Sequence, residues 1–280
     1  VSLPPRSPQT PAPERGEPRE LAALTALADA QPDLAPAIAL ERELLDGERR
    51  LQRRLGTLWL DMPAELLAER LAAGEPLMRW DQLAIDWPEC RLRWRQVVDV
   101  LRRHDVLDAH DAARLLDLAR DASLPDLASR WYSRQAPGDD IAGLADVAGL
   151  TLRPFLARAA EVLQRRVSTD TWARGTCPMC GGDPVFAVLP PGGGRQLVCG
   201  RCLARWAFDP RKCPHCLADD GQRVFSALDG MYQVAACNHC RRYLKALDVR
   251  RAGRPLLLAL DVVTTLPIDQ AIGAQGYAGD

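Results

Sequence analysis

Eight of the nine cysteines in this 280-residue chain fall into four Cys-x-x-Cys pairs between residues 177 and 240. No other feature restricts the fold as much. The pairs are Cys177/Cys180, Cys199/Cys202, Cys213/Cys216 and Cys237/Cys240. A Cys-x-x-Cys turn directs two sulfurs toward one point, and two such turns close a tetrahedral cage of four thiolates. The chain between the turns decides which of them combine. Pro184–Leu189 and Arg195–Val198 read as strands around Pro190-Pro191-Gly192-Gly193-Gly194, and Arg223–Leu228 and Met231–Ala236 as strands around Asp229-Gly230. Asp-Gly between alternating runs is a strong hairpin signal, because both turn positions need positive φ. Each hairpin returns the second turn to the first. The expected cages are therefore sequential rather than interleaved: Cys177, Cys180, Cys199 and Cys202 on one metal ion, Cys213, Cys216, Cys237 and Cys240 on another.

All-sulfur tetrahedral sites suit zinc and also single iron. Coordination alone favours zinc, the commoner structural choice. With every sulfur engaged no coordination position stays open, which argues against hydrolytic metal catalysis. In the first turn, Gly181 after the second ligand lets the backbone bend so that amides face sulfur. Cys213-Pro214-His215-Cys216 also fits a thiol-disulfide oxidoreductase motif. That chemistry needs its first cysteine at a helix N-terminus, whereas here a hairpin follows and a matching Cys237-Asn238-His239-Cys240 lies downstream. His215 and His239 each sit between two ligands and read as bystanders. Cys90, alone in helical sequence, has no assigned chemistry, nor do His104 and His110.

Ahead of the cysteine region the periodicity is helical, and Ala and Leu dominate. Residues 1–18 hold six prolines and read as a disordered tail. An all-α domain spans 19–168. Leu21, Leu24 and Leu27 form a stripe that Pro32 stops, and a second helix runs from Leu34 to Leu55 with Gly56 as cap. Met62-Pro63 opens a third that Gly74 closes, and Pro88 opens a long one through Leu92, Val97, Val98 and Leu101. Shorter helices are expected near 109–120, 124–134 and 140–148, and a strong one at 152–166. The expected fold class is thus an α-helical N-terminal domain followed by two small rubredoxin-like, zinc-ribbon-like β modules, 169–210 and 211–254. Residues 255–280 are left as a C-terminal tail.

Charge and hydropathy narrow the partners. There are 36 basic and 37 acidic residues, so the whole chain gives no reason to expect an anionic polymer or membrane. The stretch 170–254 carries thirteen Arg or Lys and seven Asp. Each four-thiolate site with a divalent ion contributes about −2, which removes most of that local excess. Nucleic acid is therefore disfavoured. The longest aliphatic block, Leu256–Leu260, is far short of a bilayer span. The first twenty residues contain no apolar run of signal-peptide length. A cytoplasmic location is expected, where paired thiols hold metal more often than they form disulfides.

The motif order carries a resemblance. Trp172 and Gly175 lead into Cys177-Pro178-Met179-Cys180-Gly181-Gly182-Asp183-Pro184. Cys199-Gly200-Arg201-Cys202 follows with Trp206 four residues on, then Cys213-Pro214-His215-Cys216, then Cys237-Asn238-His239-Cys240 with Tyr243-Leu244-Lys245. This order resembles the formate dehydrogenase accessory protein family (FdhE type), well over about 170–250. Among the helices the resemblance reaches only Leu152-Arg153-Pro154-Phe155-Leu156. It implies a cytoplasmic, non-enzymatic protein needed to make active respiratory formate dehydrogenase. Its implied partner is that enzyme's catalytic subunit, which carries a molybdopterin-type cofactor and an Fe–S cluster. It also implies rubredoxin-like iron, moving the metal from zinc to iron. Trp206, Tyr243 and Lys245 become candidates for partner contact, and a homo-oligomer is compatible with the sequence. A nucleic-acid-binding ribbon and a small electron-transfer protein are the alternatives.

Overall fold

Asp86-Trp87-Pro88-Glu89 shows how the helical half is punctuated. The Asp86 carboxylate accepts from the Glu89 N–H at 3.1 Å and opens helix α4, Trp87–Arg103, with Pro88 in the first turn where its missing N–H costs nothing. Asp108 caps α5, Ala109–Leu118, in the same way at 2.8 Å. The computed structural model describes residues 19–56, 62–135 and 141–279. The proline-rich stretch 1–18 lies outside the described residues. The remaining helices of this half are α1 Arg19–Ala30, α2 Ala35–Arg54, α3 Ala64–Ala72, α6 Leu124–Tyr132 and α7 Leu144–Gln164.

Helix α7 is the buried axis of this half. The sequence predicts two helices here, but Leu144–Gln164 is continuous, with Pro154 inside it. A proline in a helix interior costs about 3 kcal/mol. Here Val147, Leu152, Phe155, Leu156 and Leu163 are almost fully buried. Burying apolar side chains at about 1.5–3 kcal/mol each outweighs the proline.

The cysteine half forms one sheet. Its strands are β1 Pro184–Leu189, β2 Arg195–Cys199, β3 Arg205–Phe208, β4 Gln222–Ala227, β5 Tyr232–Cys237 and β6 Tyr243–Asp248, in the order β3-β2-β1-β6-β5-β4. Both predicted hairpins are present, β1 with β2 and β4 with β5. Each gains a third strand, and the two triplets merge through a parallel pairing of β1 with β6, in which Ala187, Val188 and Leu189 face Ala246, Leu247 and Asp248. Every residue of β6 is buried. The two rubredoxin-like modules are therefore halves of one six-stranded sheet.

Residues beyond 255, left without elements by the sequence, fold back. After the short α8, Val249–Ala252, come α9, Leu258–Thr264, and α10, Leu266–Gly273. Leu24 and Ile38 share a core cluster with Ala259, Leu260 and Val263, so α9 packs on α1 and α2. Asp261 locks the return. It is fully buried and accepts from Tyr232 Oη at 2.5 Å, from Arg254 Nη2 at 2.6 Å and from the Leu257 N–H at 2.8 Å. No described helix is long and apolar enough to cross a membrane.

Candidate metal centres

The four cysteine turns repeat one local geometry. In each, the carbonyl of the first cysteine accepts from the N–H four residues on: Gly181 to Cys177 at 2.9 Å, Leu203 to Cys199 at 3.2 Å, Leu217 to Cys213 at 2.9 Å, and Arg241 to Cys237 at 3.0 Å. The N–H of the first cysteine donates to the carbonyl five residues on, at 2.8–3.0 Å, in all four. The donor residue four positions on is left-handed every time, with φ of 72° at Gly181, 62° at Leu203, 65° at Leu217 and 57° at Arg241. Only the first of these positions is glycine. The other three hold side chains where L-residues are disfavoured by roughly 1–2 kcal/mol. Glycine signals the turn in the sequence at Gly181 alone; at the rest it is visible only in the backbone.

The turns combine as the hairpins predict. Cys177, Cys180, Cys199 and Cys202 converge with all four sulfurs within 4.8 Å of one another, and so do Cys213, Cys216, Cys237 and Cys240. Across the first quartet, Cys177 and Cys202 sulfurs lie 3.5 Å apart, and Cys180 and Cys199 sulfurs 3.4 Å apart. In the second quartet both corresponding distances are 3.7 Å. Four sulfurs tetrahedral about an ion at ~2.3 Å stand ~3.8 Å apart, whereas a disulfide brings them to ~2.05 Å. The donor set fits a metal, and each quartet could hold one ion. Backbone N–H groups face the sulfurs of the first quartet: Met179 toward Cys177 at 3.4 Å, and Arg201 and Cys202 toward Cys199 at 3.3 and 3.5 Å. At Cys237, burial opposes the charge, but the backbone N–H groups of Cys240 and His239 and the neighbouring thiols bring its thiol down to about 7.

The two centres differ in access. The first is wholly interior: Cys177, Cys180, Cys199 and Cys202 belong to the core cluster that holds Leu77, Met78, Trp172 and Trp206. The backbone of the helical domain bonds directly to its first turn, Leu77 N–H to Pro178 O at 2.9 Å and Met78 N–H to Met179 O at 2.7 Å. In the second, Cys216 is exposed and Cys240 half-buried. Gly175 brings the two centres together. A Cβ there would stand 1.7 Å from the carbonyl oxygen of Pro214, so only glycine lets the approach to the first quartet run against the third cysteine turn.

The three residues expected at a partner surface lie inside the fold. Trp206 is 2% exposed, with its indole N–H on the Arg174 carbonyl at 3.2 Å. Tyr243 and Lys245 are buried on β6, and both bond Asp269 of α10, at 2.6 and 2.5 Å. The sequence shows them beside a ligand pair but not the two helices that cover β6. His215 and His239 fall outside both quartets; His239 pairs with Asp220 at 2.7 Å. Cys90 is buried in α4, where burial pushes its thiol up to about 12 and leaves it inert.

Fold and site together define a helical domain carrying a tandem of rubredoxin-like four-cysteine modules merged into one sheet. No family model matches the sequence. Similar proteins include the FdhE homologue of Pseudomonas aeruginosa, 28% identical over 159 residues, which are 49% of this chain and 50% of that protein. The Aquifex aeolicus homologue is 26% identical over 45% of this chain and 46% of its own, and that of Edwardsiella ictaluri 31% over 44% and 42%. The chain thus matches half or less of the length of these curated relatives. The crystal structure of the FdhE protein from Pseudomonas aeruginosa matches with a TM-score of 0.64 and 24% identity, covering 93% of this chain and 92% of that one, a likeness of fold. The chain is thus similar in sequence to proteins named FdhE homologue over part of its length, and similar in fold to one of them.

Proposed function

We propose that this chain is an accessory protein required to form active respiratory formate dehydrogenase, meeting the enzyme's catalytic subunit in the cytoplasm and performing no catalysis itself. The observation that supports this most is the pairing of an FdhE-type fold with two complete four-cysteine quartets. We assign Cys177, Cys180, Cys199 and Cys202 to one ion and Cys213, Cys216, Cys237 and Cys240 to a second. Iron is the choice that the family resemblance favours over zinc. A four-thiolate ion leaves no position for substrate, which suits a structural or electron-holding role.

Because Trp206, Tyr243 and Lys245 are buried, the contact surface moves to the outer rim of the second half-sheet. There Leu217, next to the accessible Cys216, Val224 on β4 and Leu228 at the β4–β5 turn are 51%, 63% and 50% exposed. Large apolar side chains exposed together are a common mark of an interaction site. The test is genetic and then biochemical. A strain without the gene should still make the catalytic subunit yet lack formate oxidation. A Leu217→Asp/Val224→Asp variant should keep both metals and fail to capture the subunit. Normal formate oxidation in the deletion strain, with no second copy present, would overturn the reading. Salt-dependent binding to nucleic acid would then favour the ribbon alternative.

A further inference from the structure

A cavity of about 410 Å³ lies between the helical domain and the sheet, with Gly200 and Leu203 of the second cysteine turn in its wall. Every layer contributes polar groups to it: Glu20, Glu41 and Glu48 from α1 and α2, Arg153 from α7, Lys245 from β6 and Asp269 from α10. Leu45, Val185, Leu203, Leu258 and Val262 supply apolar wall. Ligand sites commonly have this size and this make-up of apolar lining with a few convergent polar groups.

The charges pair off with one exception. Glu48 accepts from Arg153 at 2.6 and 2.8 Å. Glu20 takes Arg49 at 2.9 Å and the Ala259 N–H at 3.1 Å. Lys245 meets Asp269 at 2.5 Å. Glu41 has no hydrogen bond or ion pair among the described residues. Burial pushes its carboxyl up, Arg153 opposes that, and Glu48 and Glu20 add repulsion. Half-buried at the cavity wall, and sharing only the longer-range attraction of an Arg153 that Glu48 already engages, this carboxyl offers an open counter-charge to a cation that enters the space.

We infer that this cavity binds an organic cation, an ammonium or guanidinium on a short apolar stem, with Glu41 as the counter-charge and the Leu45, Leu258 and Val262 wall against the stem. A metal ion does not fit. Among the described residues only the two cysteine quartets bring Cys, His, Asp or Glu donors to metal-binding separations. A guanidinium suits a carboxylate through two parallel hydrogen bonds, and an ammonium suits it as a point charge. The same chemistry is offered by a free small cation and by an arginine or lysine side chain of a partner polypeptide. The site uses none of the cysteines and stands independently of the accessory role.

Calorimetry on the full, metal-loaded chain tests this with n-butylguanidinium, n-butylammonium, the uncharged n-butylurea and a capped Ala-Arg-Ala peptide. At least one of the charged probes should bind saturably with one site per chain, and the urea should not bind. Glu41→Gln should weaken the cation at least ten-fold. Val262→Trp, which fills the apolar end and leaves every charge in place, should do the same and serves if the first variant fails to fold. Tighter binding of the peptide than of n-butylguanidinium assigns the site to a partner's side chain; the reverse assigns it to a free small cation. Absence of saturable binding by every charged probe, or equal binding by the wild type and both variants, overturns the inference.

Discussion

Arg201 lays its guanidinium over the indole of Trp131, 4.5 Å from the ring centre, and donates to the carbonyl oxygens of Tyr132 at 2.8 Å and of Trp131 at 3.4 Å. Its own N–H faces Cys199 Sγ at 3.3 Å. One residue thus ties the second turn of the inner quartet to the end of α6. Arg201→Ala removes a stacking contact and charge-assisted hydrogen bonds, together about 2–3 kcal/mol. Urea denaturation should show that loss with two metals still bound. Arg201→Lys should recover little, because a lysine cannot stack and donate at once.

Gly175 predicts a sharper effect. Its missing side chain faces backbone, which no rotamer change can clear. Gly175→Ala should cost more than about 2 kcal/mol, as overpacking against a fixed neighbour does, and should lower the metal-to-protein ratio. Gly192→Ala, where nothing lies within 4 Å, is the control and should change neither quantity.

The unequal burial of the quartets predicts unequal metal lability. A chromophoric chelator should release one ion per chain quickly, from the centre with exposed Cys216, and the second slowly. Cys237→Ser should abolish the fast phase and leave the helices folded. Cys177→Ser should be far more damaging. It strips a site of order 10 kcal/mol from the middle of the core that joins helices to sheet. A single release phase in the wild type would show the two centres to be equivalent.

Asp261 predicts the strength of the C-terminal return. Asp261→Ala leaves Arg254, Tyr232 Oη and the Leu257 N–H without their shared acceptor. Removing one partner of a buried charge pair costs about 3–5 kcal/mol. Chemical denaturation should report a loss in that range, and hydrogen exchange should show faster opening in α9 and β5.

Glu41 predicts a pH dependence. Its folded carboxyl is raised above the ordinary value of 4.5, burial being the largest cause. Between those two values the folded chain holds more protons than the unfolded one, so stability falls as pH rises through the window. Glu41→Gln should therefore be the more stable protein at pH 7, by about 1.4 kcal/mol for each unit of elevation. The difference should shrink as pH falls back through that window. A variant less stable than wild type at pH 7 would mean that the carboxylate has a compensating partner.

The cysteine quartets and the two hairpins were legible in the sequence because they are local. A Cys-x-x-Cys turn aims two sulfurs by its own backbone, and the turn between strands sets which sulfurs meet, all within the 26 residues from Cys177 to Cys202 or the 28 from Cys213 to Cys240. Helix α4 announced itself similarly, through Pro88 and the apolar spacing that follows. The continuity of α7 did not, because Gly149 and Pro154 suggest a break that only burial on all sides overrides. Strand β6 was hidden for the same kind of reason. Tyr243-Leu244-Lys245-Ala246-Leu247-Asp248 has no clean alternation, since it lies at the centre of the sheet between β1 and β5 and beneath α10. Lys245 reads as a surface charge until Asp269 is folded over it. The cavity around Glu41 draws on residues from α1 to α10, and no local pattern records their meeting. Periodicity and turn chemistry encode what a segment does with its near neighbours along the chain. Which face is buried, which charge is left unpaired and which quartet stays open to solvent depend on segments far apart in sequence, and only the tertiary packing decides them.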